Sequence, residues 1–223
     1  MGIISSDCLK SGGVALALFL CASFTSSAQD IAKVENFRDI AGTPFFPRQY
    51  VDVVGTPYLF DDWIPSTIVL NNGRTLKGVK TNFNLVTDEL LFVDDKGKTM
   101  VASPKVIRSI ETNSETPRKF VPTQAMNTFG EVISSEGKAT LLKYSRKVIV
   151  ETKPYNSATI ERSFVTNVSH LLIVNGEFTE VKSMTDLYNV LQSQQLKEFA
   201  KKEKLKKKSE ESWVKIVDYF NSI

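Results

Sequence analysis

Cysteine and histidine are almost missing from this chain. Its 223 residues hold two cysteines, Cys8 and Cys21, and one histidine, His170. With no second His or Cys beside His170, the sequence offers no partner set for a zinc site or a histidine-based triad, so His170 reads as a packing or surface residue of an apolar strand. There is no G-x-S-x-G elbow, no H-E-x-x-H pair and no dinucleotide fingerprint. The D-x-D-x-D-G spacing of a calcium loop is absent as well. The stretch EGKAT at 136–140 looks like the end of a phosphate-binding loop, but Val132 stands where the first glycine must be and the run leads into a strand. No catalytic residue, metal or other cofactor is expected. Charge of one sign is lacking too: 28 basic against 25 acidic residues leave +3, too little to imply a nucleic-acid partner.

A long apolar run is the next absence. The strongest one, GGVALALFLCASF, is about a dozen residues and is broken by Gly12, Gly13, Ser23 and Thr25. A bilayer-spanning helix needs about 20. With Lys10 before the run and TSSAQD after it, Ser26 and Ala28 fall in the small-residue positions of a cleavage site, and residues 1–28 read as a secretory signal peptide. The rival is a lipoprotein whose first residue is Cys21, but the bulky Leu20 precedes it where a small residue is favoured. Cleavage after Ala28 removes both cysteines. The mature chain then relies on its hydrophobic core, which 42% hydrophobic and 24% charged residues can supply.

What is present is a two-residue period. Residues 29–56 carry Pro and Gly at a spacing that excludes a long helix, and read as an extended lead-in with an edge strand through Tyr50 to Val54. From Pro57 to Thr112 short runs of Val, Ile, Leu, Thr and Phe alternate with turn residues, the pattern of an antiparallel meander. Strands are expected at about Ser66–Leu70, Arg74–Phe83, Glu89–Asp94, Lys98–Ser103 and 105–112, with a two-residue hairpin at Asn72-Gly73. The apolar phase slips near Gly78, which predicts a β-bulge at Lys77 and Gly78. Residues 113–127 read as a loop between two halves. Beyond it come a hairpin turning at Glu136-Gly137, a loop around Pro154 to Ser157, a strand near Arg162–Thr166, and a last hairpin at Asn175-Gly176.

At Ser183 the period becomes 3.6. Ser183 and Asp186 approximate a capping pair, and Met184, Leu187, Val190 and Leu191 form an apolar stripe. A second helix opens at Ser209 with Glu210 and Glu211 in its first turn, followed by Trp213, Ile216, Val217 and Phe220. The fold class is therefore mainly β (α+β): a β domain over 57–182 of roughly eight to ten antiparallel strands, curved into a half-barrel. Two C-terminal helices in 183–223 cover one sheet face.

Three stretches, GTPYLFDDW (55–63), TNFNLVTDELLF (81–92) and the ending LKEFAKKEKLKKKSEESWVKIVDYFNSI, with GKATLLKY between them, resemble a family of uncharacterised secreted, β-rich proteins of the Gram-negative envelope. The likeness spans most of the mature chain. It implies export to the periplasm or the periplasmic face of the outer membrane, and it brings no catalytic residue.

Three clusters could carry function. Acidic pairs recur at Asp61-Asp62, Asp88-Glu89 and Asp94-Asp95; two carboxylates across a cleft could hydrolyse a glycoside, but adjacent strand residues face opposite ways and Asp is a favoured turn residue. Tyr58, Phe60 and Trp63 surround Asp61 and Asp62; buried aromatics seeding a sheet edge are the commoner outcome, yet a ligand site would fall at Tyr58, Asp61, Asp62 and Trp63. Lys201, Lys202, Lys204, Lys206, Lys207 and Lys208 form a basic run that reads as a solvated face and alternatively as a contact with an anionic membrane surface. The expected function is that of a non-enzymatic envelope protein that binds or assembles with other envelope proteins. A carrier of a lipid or other apolar ligand is the alternative, and a carboxylate-dependent hydrolase the third reading.

Overall fold

The computed structural model describes residue 40 and residues 42–123, 127–153 and 160–223, all within the compact unit Lys33–Ile223. The expected signal peptide, both cysteines, the lead-in as far as residue 39 and the loop around Pro154 to Ser157 lie outside the described residues.

Among the described residues a single sheet of twelve strands runs through this unit. They are β1 (Thr43–Pro44), β2 (Val53–Val54), β3 (Ile64–Leu70), β4 (Thr75–Asn84), β5 (Glu89–Val93), β6 (Thr99–Val101), β7 (Ile107–Thr112), β8 (Lys119–Thr123), β9 (Thr128–Val132), β10 (Ala139–Thr152), β11 (Glu161–Val174) and β12 (Glu177–Val181). Their order in space is β1-β6-β5-β4-β3-β7-β8-β9-β10-β11-β12, with β2 beside β11. Every pairing is antiparallel except the short one of β2 with β11. The meander and its curvature are as the period-two pattern predicts.

The bulge forms where the phase slips. Ser66 faces Val79 and Ile68 faces Leu76, so β4 carries one extra residue. Lys77 and Gly78 are exposed while Leu76 and Val79 are buried, and Gly78 takes φ 69. The same bulge is expected to tighten the twist and roll the sheet. The roll continues until the backbone N–H of Lys147 on β10 donates to the Leu85 carbonyl just past β4, at 2.7 Å.

Several expectations need correction. At Asn72-Gly73 the connection is a three-residue loop: Leu70 N–H bonds Arg74 O, and only Gly73 has positive φ. By contrast, Asn175 and Gly176 both have positive φ, as a two-residue turn requires. The expected loop at 113–127 contains β8. Pro122 belongs to it without harm, because β7 pairs only with Lys119 and Phe120 and demands no N–H from position 122. Three helices, not two, follow the sheet: α1 (Met184–Leu191), α2 (Gln194–Lys202) and α3 (Glu210–Ser222). Gln192 takes a left-handed φ of 47 and ends α1; Gln194–Lys202, which takes in only Lys201 and Lys202 of the basic run, then folds as a second helix on buried Leu196 and Ala200.

Two apolar clusters hold the unit. The first, inside the rolled half, includes Ile68, Phe83, Leu90, Phe92, Ile110, Phe120 and Phe129. The second packs Leu141, Leu172 and Val181 of the sheet under Leu187, Leu196, Trp213, Ile216 and Val217 of the helices. Both lie on one face of the sheet, since Phe129 shares a face with Glu131 two residues on, Glu131 pairs with Lys143, and Lys143 shares a face with Leu141 two residues back.

Candidate functional site

The stretch from Pro57 to Asp62 is an irregular strand clamped to β4 by buried amides. Tyr58 makes a lone antiparallel bridge to Asn84, flanked by Leu59 N–H to Phe83 O and Leu85 N–H to Pro57 O, both 2.9 Å. Asn82, 5% exposed, donates through Nδ2 to Phe60 O at 2.9 Å and to Asp62 O at 3.3 Å. Its Oδ1 accepts the Phe60 N–H at 3.2 Å. From the other side Lys147 Nζ donates to Thr56 O at 2.8 Å and Tyr58 O at 2.6 Å. Burial pushes the Lys147 ammonium below its ordinary value, partly offset by Asp61. The motif stretches GTPYLFDDW and TNFNLVTDELLF are thus held directly against each other.

This clamp fixes one wall of an open cleft of about 490 Å³, lined by Phe45, Pro47, Tyr58, Trp63, Lys98 and Met100 among others. The opposite wall is set by β1 on β6: Pro44 faces Met100, and Phe45 N–H bonds Thr99 O at 3.1 Å. Trp63 is 38% exposed, and Phe46 beside the cleft is 81% exposed. Burial, then the neighbouring Tyr50, raises the pKa of the Tyr58 phenol, so it remains protonated. The arrangement offers aromatic and proline faces for stacking with one ammonium at the edge.

Of the residues read as a ligand site, Tyr58 and Trp63 come together in the cleft. Asp61 and Asp62 are exposed and lie outside its lining. Phe60 turns into the first core, 6.5 Å from Phe83 and from Phe120, with the Arg118 guanidinium 5.2 Å over its ring. Phe45, Pro47, Lys98 and Met100 were missed, because no local signal ties the lead-in to β6. The other acidic pairs serve the chain path. Asp94 Oδ1 accepts the N–H of Lys96 and Lys98 in its turn, and Asp88 sits at φ 59 between β4 and β5, paired with Arg146.

Lys201 and Lys202 end α2, and Lys204, Lys206, Lys207 and Lys208 occupy the connection to α3; all six are exposed. Their backbone is pinned, because Trp213 Nε1 and the Met184 N–H both donate to Lys207 O, at 2.9 and 3.1 Å. His170 has a partner that the sequence hid. Its Nε2 lies 2.6 Å from Glu210 Oε2, which also receives Lys143, and its ring meets Trp213 edge-on at 5.0 Å. Burial opposes the charge on Glu210, but the bonds from His170 and Lys143 outweigh it and hold its carboxyl below the usual range. This cluster fastens α3 to β10 and β11. Among the described residues no three His, Asp or Glu side chains gather in a way that could hold a metal ion.

No family model, curated protein or solved structure matches the chain.

Proposed function

We propose that this chain belongs to a family of exported Gram-negative envelope proteins and works without catalysis in the periplasm or at the inner side of the outer membrane. In this reading it binds or assembles with envelope proteins through the cleft at Tyr58 and Trp63. The observation that carries the reading is the cleft itself: half-buried Tyr58 and exposed Trp63 on a wall locked by Asn82 and Lys147, facing Phe45 and Pro47 across the opening. A pre-ordered aromatic surface loses little entropy on binding. The reading is preferred to an apolar-ligand carrier because the rolled half of the sheet is filled by its own side chains. It is preferred to a carboxylate hydrolase because Asp61 and Asp62 are exposed neighbours outside the cleft. The six exposed lysines after α2 support a further contact with an anionic membrane surface, worth about 1 kcal/mol per cation.

The test is crosslinking and capture of C-terminally tagged protein from the envelope of its host. A partner retained by the wild type and lost by Trp63→Ala supports the cleft; the same captured set for wild type, Trp63→Ala and Tyr58→Ala overturns it. Fractionation of the same cells tests export. A periplasmic or membrane protein beginning at Gln29 supports the expected leader, and full-length protein retained in the cytoplasm overturns it.

A further inference from the structure

A larger groove, about 770 Å³, opens on the sheet face opposite the helices. Thr140 and Ile173, which line it, are paired partners; their neighbours Leu141 and Leu172 point into the helical core, so alternation turns Thr140 and Ile173 the other way. Its volume falls in the range of about 300–1,000 Å³ common for small-molecule sites. Three cations line it, Lys105, Arg108 and Lys119, against one carboxylate, Glu136. Glu136 is already engaged by Lys119. The exposed Lys105 and Arg108 therefore dominate the field at their end of the groove. Between the ends runs a half-buried apolar strip of Val121, Val132 and Ile173.

The cationic end is built in advance. Asn71 ties the β3–β4 loop to the segment before β7: its N–H donates to Val106 O at 2.9 Å and its Nδ2 to Lys105 O at 2.8 Å. Its carbonyl accepts Arg108 Nη2 at 3.3 Å, which orients the guanidinium while leaving further N–H donors to meet an anion.

We propose that this groove is a second binding site, taking a ligand with one carboxylate or phosphate head on an apolar chain. Lys105 and Arg108 meet the head; Val121, Val132 and Ile173 take the chain. The site is independent of the aromatic cleft.

Isothermal titration of the purified protein with decanoate, decyl phosphate and 1-decanol tests it, each kept below its solubility or micelle limit. One-to-one binding of decanoate or decyl phosphate about tenfold or more tighter than decanol is expected, and the tighter of the two anions names the head. Arg108→Gln should weaken anion binding about tenfold, and Lys105→Gln with Arg108→Gln further still. Both are exposed positions, so the variants should fold; Lys96→Gln, which removes an exposed charge outside the groove lining, serves as a folded control whose anion binding is unchanged. Equal affinity for decanol, an unchanged affinity in the double variant, or no binding of either anion overturns the proposal.

Discussion

At the scale of single residues, amides do the fastening in this protein. Asn221, in the last turn of α3, donates through Nδ2 to Ala139 O at 2.8 Å and Ser135 O at 3.1 Å, and accepts the Ala139 N–H at 2.9 Å. It thereby holds the β9–β10 turn to the helix layer. Gly137 lies in that turn because of Asn221: a Cβ there would stand 2.5 Å from Asn221 Cγ. Asn221→Ala is expected to cost about 1–3 kcal/mol, since it strands backbone groups of a partly buried turn. Gly137→Ala should cost a similar amount by displacing the same amide. The two effects should then not add, because the second change removes a group already lost. Urea midpoints for both single variants and the double variant check this, and simple additivity would show that the contact is incidental. None of it was legible in the sequence, where a polar residue in an amphipathic helix reads as solvent-facing. Asn82 and Asn84 were hidden for the same reason: alternation marks which face a strand residue takes, not whether an amide on the buried face will find backbone partners.

At the scale of elements, the legible parts were those whose local pattern and tertiary role agree. The bulge at Gly78, the turn at Asn175-Gly176 and the stripe of α3 each carry one signal and serve one purpose. The parts misread are those where two signals compete. Pro122 argued for a loop, but the β7 ladder ends before it. The lysines of 197–208 masked α2, whose buried face is only Leu196 and Ala200. The candidate site was half legible: Tyr58 and Trp63 share a motif, whereas the opposite wall comes from the pairing of β1 with β6, which no local pattern encodes. The motif segment itself has no regular ladder and depends on Lys147 and Asn82. Lys147→Ala leaves the Thr56 and Tyr58 carbonyls without that ammonium. Amide exchange across residues 56–60 should accelerate in this variant while exchange in α1 and α3 stays as in the wild type. Unchanged exchange at 56–60 would mean that Asn82 alone sets the wall of the cleft.

For the whole molecule, the question is whether two cores on one sheet behave as one folding unit. The direct ladder between the halves is short: β9 meets β10 through Leu142 with Val132 and Lys143 with Glu131. Were that the only join, the rolled half and the helix-covered hairpin could open separately. Yet β10 is gripped along its length. Arg146 pairs with Asp88 at 3.4 Å, the Lys147 N–H closes onto Leu85, and its ammonium holds Thr56 and Tyr58. The Tyr144 phenol, whose pKa burial raises, also bonds Asp88. β10 is therefore shared by both cores, and losing either should expose the other. Calorimetry is expected to give one transition, and Phe120→Ala in the first core and Ile216→Ala in the second should each lower it as a whole, at a cost of about 2–5 kcal/mol. Two resolved transitions, with each substitution moving only one, would show that the shared strand fails to couple the halves and that the groove, lined by residues of both, spans two separately stable pieces.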